Sequence, residues 1–274
     1  MKKIFISFDF EGIAGISFWS ETVANERYNK IATEQLSCFI NRIIALEPNT
    51  EIYVADSHSI GNNIIWEDLP ENVKLIRGFP RMYYMIQELD DSFSDLVLFG
   101  YHTAAGKGGM MDHTYSSSSI FEIRINGKIV DEGLINAALA GEFGVPLSFV
   151  YGDDKTVEFF NSLYPEVPSL ISKDAISRFS GVMKDRKTIL KELSLKAEEL
   201  LYSLNERIIT FDYPINAEIT MTDSLRGYIA SIIPGLTLSD KDDRLVKFTC
   251  DSMLDFYRYL MTIINSCSIA KNIQ

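Results

Sequence analysis

The chain has 274 residues, 46% of them hydrophobic and 23% charged, which fits one large α/β domain or two smaller ones and excludes a disordered chain. A formal net charge of -12 without any basic cluster argues against nucleic acid as a partner, because phosphate backbones are gripped mainly by Lys and Arg. No run approaches the roughly 18 uninterrupted apolar residues of a membrane span, and the opening apolar stretch from Ile4 to Phe8 is too short for a signal peptide, so no membrane contact and a cytoplasmic location are expected.

In the first half, short β-rich runs alternate with helical patterns. Strands are predicted at Lys3 to Phe8, Glu51 to Ala55, Val73 to Ile76, Leu96 to Phe99 and Leu147 to Tyr151. Helices are predicted at Asn29 to Leu46, Met82 to Leu89, Glu132 to Phe143 and Asp154 to Leu163. This order is the signature of an α/β fold with a mostly parallel sheet flanked by helices. The segment "FEIRINGKIV" instead alternates around Asn126-Gly127 and predicts a hairpin with a type I′ turn. Beyond Pro165 the pattern becomes α+β: a charged helix from Lys184 to Ser203, strands near Ile208 to Met221 and Leu245 to Thr249, and an apolar helix from Met253 to Ile264. Residues 1–165 are therefore expected to form an α/β core, and residues 166–274 a smaller C-terminal α+β extension packed on it; the acids and histidines that would make the core metal-binding and catalytic all lie in the first part. Cys38, Cys250 and Cys267 are far apart and lack a C-x-x-C spacing, so buried reduced thiols are expected rather than a disulfide framework or a thiolate zinc site.

The chemistry is concentrated where the first strand ends. In "FISFDFEGIAG", Asp9 and Glu11 lie two residues apart, a spacing that points both side chains to the same side of a strand. Like charges held that close repel, and a cation between them is the usual remedy. The three histidines, His58, His102 and His113, each follow a strand end or its loop, in "VADSHS", "LFGYHTAAG" and "MMDHTYSSSS". Ligands of open parallel sheets gather at the carboxyl ends of strands, so Asp9, Glu11, His58 and His102 are expected at one edge, where Glu132 of "VDEGLINA" can join them. Imidazoles and carboxylates without cysteine suit a catalytic divalent ion such as zinc, and three carboxylates are better balanced by two ions than by one. Ser116 to Ser119 lack a G-x-S-x-G elbow and read as a polar loop. Gly12 and Gly15 do not make a dinucleotide fingerprint.

The segments "DFEGIAG", "DSHS" followed by Asn62-Asn63, "GYH", "MDH" and "DEGLINA", in this order and spacing, together with "GVPLSFVYGDD", resemble the D-aminopeptidase family of zinc peptidases, peptidase family M55. The resemblance implies a three-layer α/β unit with a second, smaller portion, assembled as homo-oligomers. It implies two zinc ions per chain: Asp9 bridging both, Glu11 and His58 completing one, His102 and Glu132 the other, with His113 as a catalytic residue off the metals. The expected activity is removal of the amino-terminal residue from short peptides or amides, with D-amino-acid substrates implied by the family. Two other readings remain: a dinuclear metallophosphoesterase, which also builds its site at strand ends but generally with more histidines, and a metal-bearing protein that captures peptides without cleaving them.

Overall fold

A computed structural model describes residues 2–22, 25–202 and 207–272. The chain runs through β1 (Lys3–Phe8), α1 (Glu26–Leu46), β2 (Glu51–Asp56), β3 (Val73–Ile76), β4 (Asp95–Tyr101), β5 (Ile120–Ile125), β6 (Lys128–Ile129), α2 (Glu132–Glu142), β7 (Leu147–Gly152) and α3 (Asp154–Leu163). It continues through β8 (Ser169–Ile171), β9 (Lys173–Ser177), β10 (Ser180–Met183), α4 (Arg186–Tyr202), β11 (Ile215–Met221), α5 (Ser224–Ser231), β12 (Thr237–Leu238), β13 (Leu245–Cys250) and α6 (Met253–Cys267).

The central sheet is parallel throughout, in the order β3-β2-β1-β4-β7-β8. Its middle strands are buried on both faces, which is why they read as near-continuous apolar runs. Side chains still alternate: Ile4, Ile6 and Phe8 of β1, with Val97 and Phe99 of β4, enter the apolar layer shared with α1 and α4, where Phe39 stacks on Phe149. Phe5, Leu96 and Leu98 enter the opposite layer with α2 and α6. From β1 the chain builds outward through β2 and β3, then returns to place β4 on the other side of β1. The crevice at the carboxyl ends of β1 and β4 is thus the topological switch point, where doubly wound sheets bind ligands.

A second, antiparallel sheet has the order β12-β13-β11-β5-β6 and packs against the same layer as α2 and α6. Asn126 and Gly127 join β5 to β6 with φ of 51° and 79°, the two positive values of a type I′ turn. β5 pairs with β11, and β8 extends the central sheet beside β7, so each sheet draws strands from both sides of residue 165.

The structure differs from the sequence pattern in several places. The helix predicted over Met82 to Leu89 is only a 3-10 turn at Tyr84–Ile86, because Tyr84 and Glu88 take φ of 29° and 77°, outside the right-handed helical region. Burial of Met85 and Ile86 and the bond from the Tyr84 hydroxyl to the Ser59 carbonyl hold that conformation. The helix predicted from Lys184 begins at Arg186 and is described to Tyr202; Ser203 lies outside the described residues. The strand predicted from Ile208 starts only at Ile215, after Pro214, which has no N–H for a ladder. The strands β8, β9, β10 and β12 and the short helix α5 carry no clear apolar period and were not expected. No helix among the described residues is long and apolar enough to cross a membrane.

Candidate metal centre

Asp9 follows β1 directly and donates its N–H to the Phe99 carbonyl of β4 at 2.7 Å, which carries the strand pairing one residue past β1. Gly12 donates to the Gly100 carbonyl at 2.7 Å. A Cβ at Gly12 would lie 2.0 Å from the Tyr101 carbonyl oxygen, and one at Gly100, which has φ of +81°, would lie 2.2 Å from that of Asp9. These two glycines let the loop after β1 lie against the end of β4, so that the acid pair and His102 share one floor. One Asp9 oxygen, Oδ1, accepts the Phe10 N–H at 2.9 Å; Oδ2 is buried with no hydrogen-bond partner.

His58 sits in the loop after β2, shaped by buried Asp56. That carboxylate accepts the backbone N–H groups of Asn63 and Ile64 and the Asn63 side-chain amide, while the same amide donates to the His58 carbonyl at 2.8 Å. Asn63 therefore orients the His58 loop; Asn62 is exposed. The His58 imidazole comes to rest with Nδ1 2.9 Å from Glu11 Oε2 and 3.5 Å from Asp9 Oδ1.

His102 donates Nδ1–H to the Thr103 carbonyl at 3.0 Å, which turns Nε2 towards Asp9 Oδ2 at 3.4 Å and Glu132 Oε1 at 3.2 Å. Glu132 is the first residue of α2, whose N-cap Asp131 accepts the Leu134 N–H. It also accepts the Tyr115 N–H at 2.5 Å. His113 donates Nδ1–H to the Met111 carbonyl, stacks on His102 with ring centroids 4.1 Å apart, and meets the edge of Trp19. Its Nε2 stands 3.7 Å from Glu132 Oε1 and 3.9 Å from Glu11 Oε1.

All six residues singled out in the sequence thus converge. Ligand atoms lie within 4.8 Å of one another in three sets: Asp9, Glu11 and His58; Asp9, His102 and Glu132; and Glu11, His102 and His113. Burial and the neighbouring Glu11 carboxylate push the Asp9 carboxyl above its ordinary value. Burial acts to raise Glu11 too, but His58 outweighs it and holds that carboxyl below the usual range. Burial works against a charged His58, yet Glu11 and Asp9 raise it to about 10; His102 is raised well above its usual value, against burial, mainly by Glu132. Burial and His102 lower His113 to about 4.

The peptidase M55 model, described as D-aminopeptidase, matches residues 1–262. The chain belongs to the D-aminopeptidase family. A curated D-aminopeptidase of Bacillus subtilis (strain 168) is 37% identical over 186 residues, which span 64% of this chain and 65% of that relative. The solved structure of the Zn-dependent D-aminopeptidase DppA from Bacillus subtilis, described as a self-compartmentalizing protease, superposes with a TM-score of 0.91 at 27% identity, covering 97% of this chain and 98% of that one. Membership favours a peptidase over a metallophosphoesterase or a passive peptide binder.

In this member of the D-aminopeptidase family the cluster opens into a cleft of about 530 Å³. Its walls include Trp19, Ile60, Phe79 and Tyr84, the serines 116–118, and Met261, Ile264 and Asn265 of α6. None of these walls except the serines was singled out in the sequence, since apolar residues of a core-like helix give no sign of which few reach a cleft. The loop before His113 is tied down rather than loose: Gly106 N–H donates to Asp112, Met110 N–H to Asp153, and Arg178 pairs with Asp112 at 2.9 Å.

Proposed function

We propose that the protein is a dinuclear zinc aminopeptidase that removes the amino-terminal residue from short peptides or amides, D-amino-acid-containing ones above all. The observation that carries this reading is the pair of buried, partnerless atoms Asp9 Oδ2 and His102 Nε2, facing each other at 3.4 Å inside a cluster of acids and imidazoles. Buried polar atoms without partners are costly, and a cation that displaces the imidazole proton would satisfy both. The donor set fits zinc: Asp9 would serve two ions, one completed by Glu11 and His58 and the other by His102 and Glu132. When bound, the ions supply Lewis acidity at the scissile carbonyl and activate water.

The chain's own contribution starts with His113. Its Nδ1–H is committed to the Met111 carbonyl, so Nε2 faces the cleft as a proton acceptor. In this reading Nε2 takes a proton from the attacking water and returns it to the departing amine. Trp19 fixes the ring against tilting, and the cleft walls order the peptide. Residues 1–165 hold every group named here, and residues 166–274 serve as the extension that closes the cleft. We also read the protein as a cytoplasmic homo-oligomer, since the relative DppA is described as self-compartmentalizing.

The test is hydrolysis of matched D- and L-aminoacyl amides and peptides by zinc-loaded protein. Chelation is expected to abolish cleavage and zinc to restore it, while Ser116→Ala, Ser117→Ala and Ser118→Ala together leave turnover within a few-fold. Chelator-resistant cleavage that stops with the serines would reverse the assignment.

Metal loading should also move protons. His58 is raised to about 10 and His102 is raised in the same direction, so zinc binding at pH 7 is expected to release at least one proton. Calorimetry in buffers of different ionisation enthalpy measures this. For His58, whose folded value of about 10 exceeds its unfolded value, the stabilisation is full below the unfolded pKa and is lost as pH rises towards 10. Metal-free protein should therefore weaken across that window while zinc binding tightens.

A further inference from the structure

Lys173 is fully buried, yet no carboxylate of the described residues pairs with it. Its ammonium instead donates to three backbone carbonyls, those of Glu11 at 2.5 Å, Ile13 at 3.0 Å and Ile16 at 2.7 Å. An ammonium has three N–H donors, and all three are used on one short loop. Burying a cation without a paired acid is unfavourable unless oriented dipoles replace its water, and three converging carbonyls do so.

The position is specific. Lys173 opens β9 directly after Ser172, whose N–H donates to the Gly152 carbonyl at 2.8 Å, and so reaches the same carboxyl edge as the acid pair. The loop it gathers is turned twice, by Ile13 N–H to Phe10 and Ile16 N–H to Ile13, and carries Glu11 at its start. Glu11 is thereby held at its backbone by Lys173 and at its carboxylate by His58. Asp9 is fixed differently, by the bond from its N–H to Phe99, while His102 follows β4, Glu132 opens α2, and the Lys173 ammonium bonds to neither.

We propose that Lys173 is a positioning residue for half of the metal centre: by caging its ammonium in the carbonyls of residues 11–16, it sets Glu11 in ligand geometry beside His58 while leaving the His102 and Glu132 half unaffected. The inference rests on the dinuclear zinc reading above.

The experiment is zinc titration by calorimetry, with bound metal counted by elemental analysis, on the parent and on Lys173→Met, which keeps the length of the side chain but cannot donate. The expected result is two unequal positions in the variant, one weakened about 10- to 100-fold, as for other supporting partners of metal ligands, and one at parental affinity. Lys173→Ala supplies the second arm: n-propylammonium, matching the deleted atoms, should restore the weak position, and n-propanol should not. A folded Lys173→Met that binds two zinc ions with parental affinity overturns the inference. So does loss of both positions together, or of the fold, since that would make Lys173 a general stabiliser. A parent that binds less than one zinc would instead defeat the dinuclear reading itself.

Discussion

Replacing Asp9 with alanine is expected to strip both zinc ions from the protein and to abolish hydrolysis, whereas His58→Ala should chiefly weaken one ion. Asp9 belongs to both of the sets assigned to the two ions, with Oδ1 3.5 Å from His58 Nδ1 and Oδ2 3.4 Å from His102 Nε2. Even supporting partners of a ligand are worth about 10- to 100-fold in metal affinity, so a shared ligand should cost more than that at each position. The fold should survive. In the metal-free protein Asp9 is destabilised by burial and by Glu11, so removing it relieves a like-charge contact. Thermal unfolding separates these effects: with chelator the variant should melt at or above the parent, and with excess zinc only the parent should rise. At 100-fold excess over Kd each retained site adds about 2.7 kcal/mol. Asp9→Asn, which can still accept the Phe10 N–H, is the companion variant. Retention of one tightly bound zinc by either variant would remove Asp9 from the bridging position.

The parts of this site that were legible in the sequence are those governed by side-chain type and strand period. Asp9 and Glu11 declare themselves because a two-residue spacing after an apolar strand has few other uses, and the three histidines because each follows a strand end. The parallel sheet was legible for the same reason, as were α1, α2, α3 and α6. What stayed hidden works through the backbone or through tertiary reach. Lys173 lies in "SLISKDAIS", an unremarked lysine in a weak pattern, and its partners are carbonyls that every residue possesses. The close approach of Gly12 to Tyr101 gives a glycine its reason only once β1 and β4 are side by side. The turn at Tyr84–Ile86 looked helical because its apolar spacing suits a helix, and burial of Met85 and Ile86 against the sheet overrode that preference. The α6 wall of the cleft comes from a helix whose period announces only a core-facing stripe.

The His113→Ala variant is expected to keep its fold and both zinc ions while losing about 10²- to 10⁴-fold in kcat, the usual loss for a general acid or base. Survival of the loop follows from the anchors that remain without the imidazole and its bond to the Met111 carbonyl: Met111 N–H donates to the Arg178 carbonyl at 2.6 Å, and the Arg178 guanidinium grips both the carboxylate and the carbonyl of Asp112. Survival of the metals follows from distance, since Nε2 stands 3.7 and 3.9 Å from the nearest acids while His58 and His102 approach them more closely. The competing arrangement is concrete, because Glu11, His102 and His113 also bring ligand atoms within 4.8 Å of one another. A ligand and a proton carrier separate under saturating zinc. Loss of a ligand lowers bound metal and is partly rescued by excess zinc, whereas loss of a proton carrier leaves stoichiometry at the parental value and is not rescued. Measuring kcat and bound zinc together on parent and variant therefore decides the role: near-parental turnover rejects proton transfer at His113, and loss of one zinc moves it into the coordination shell.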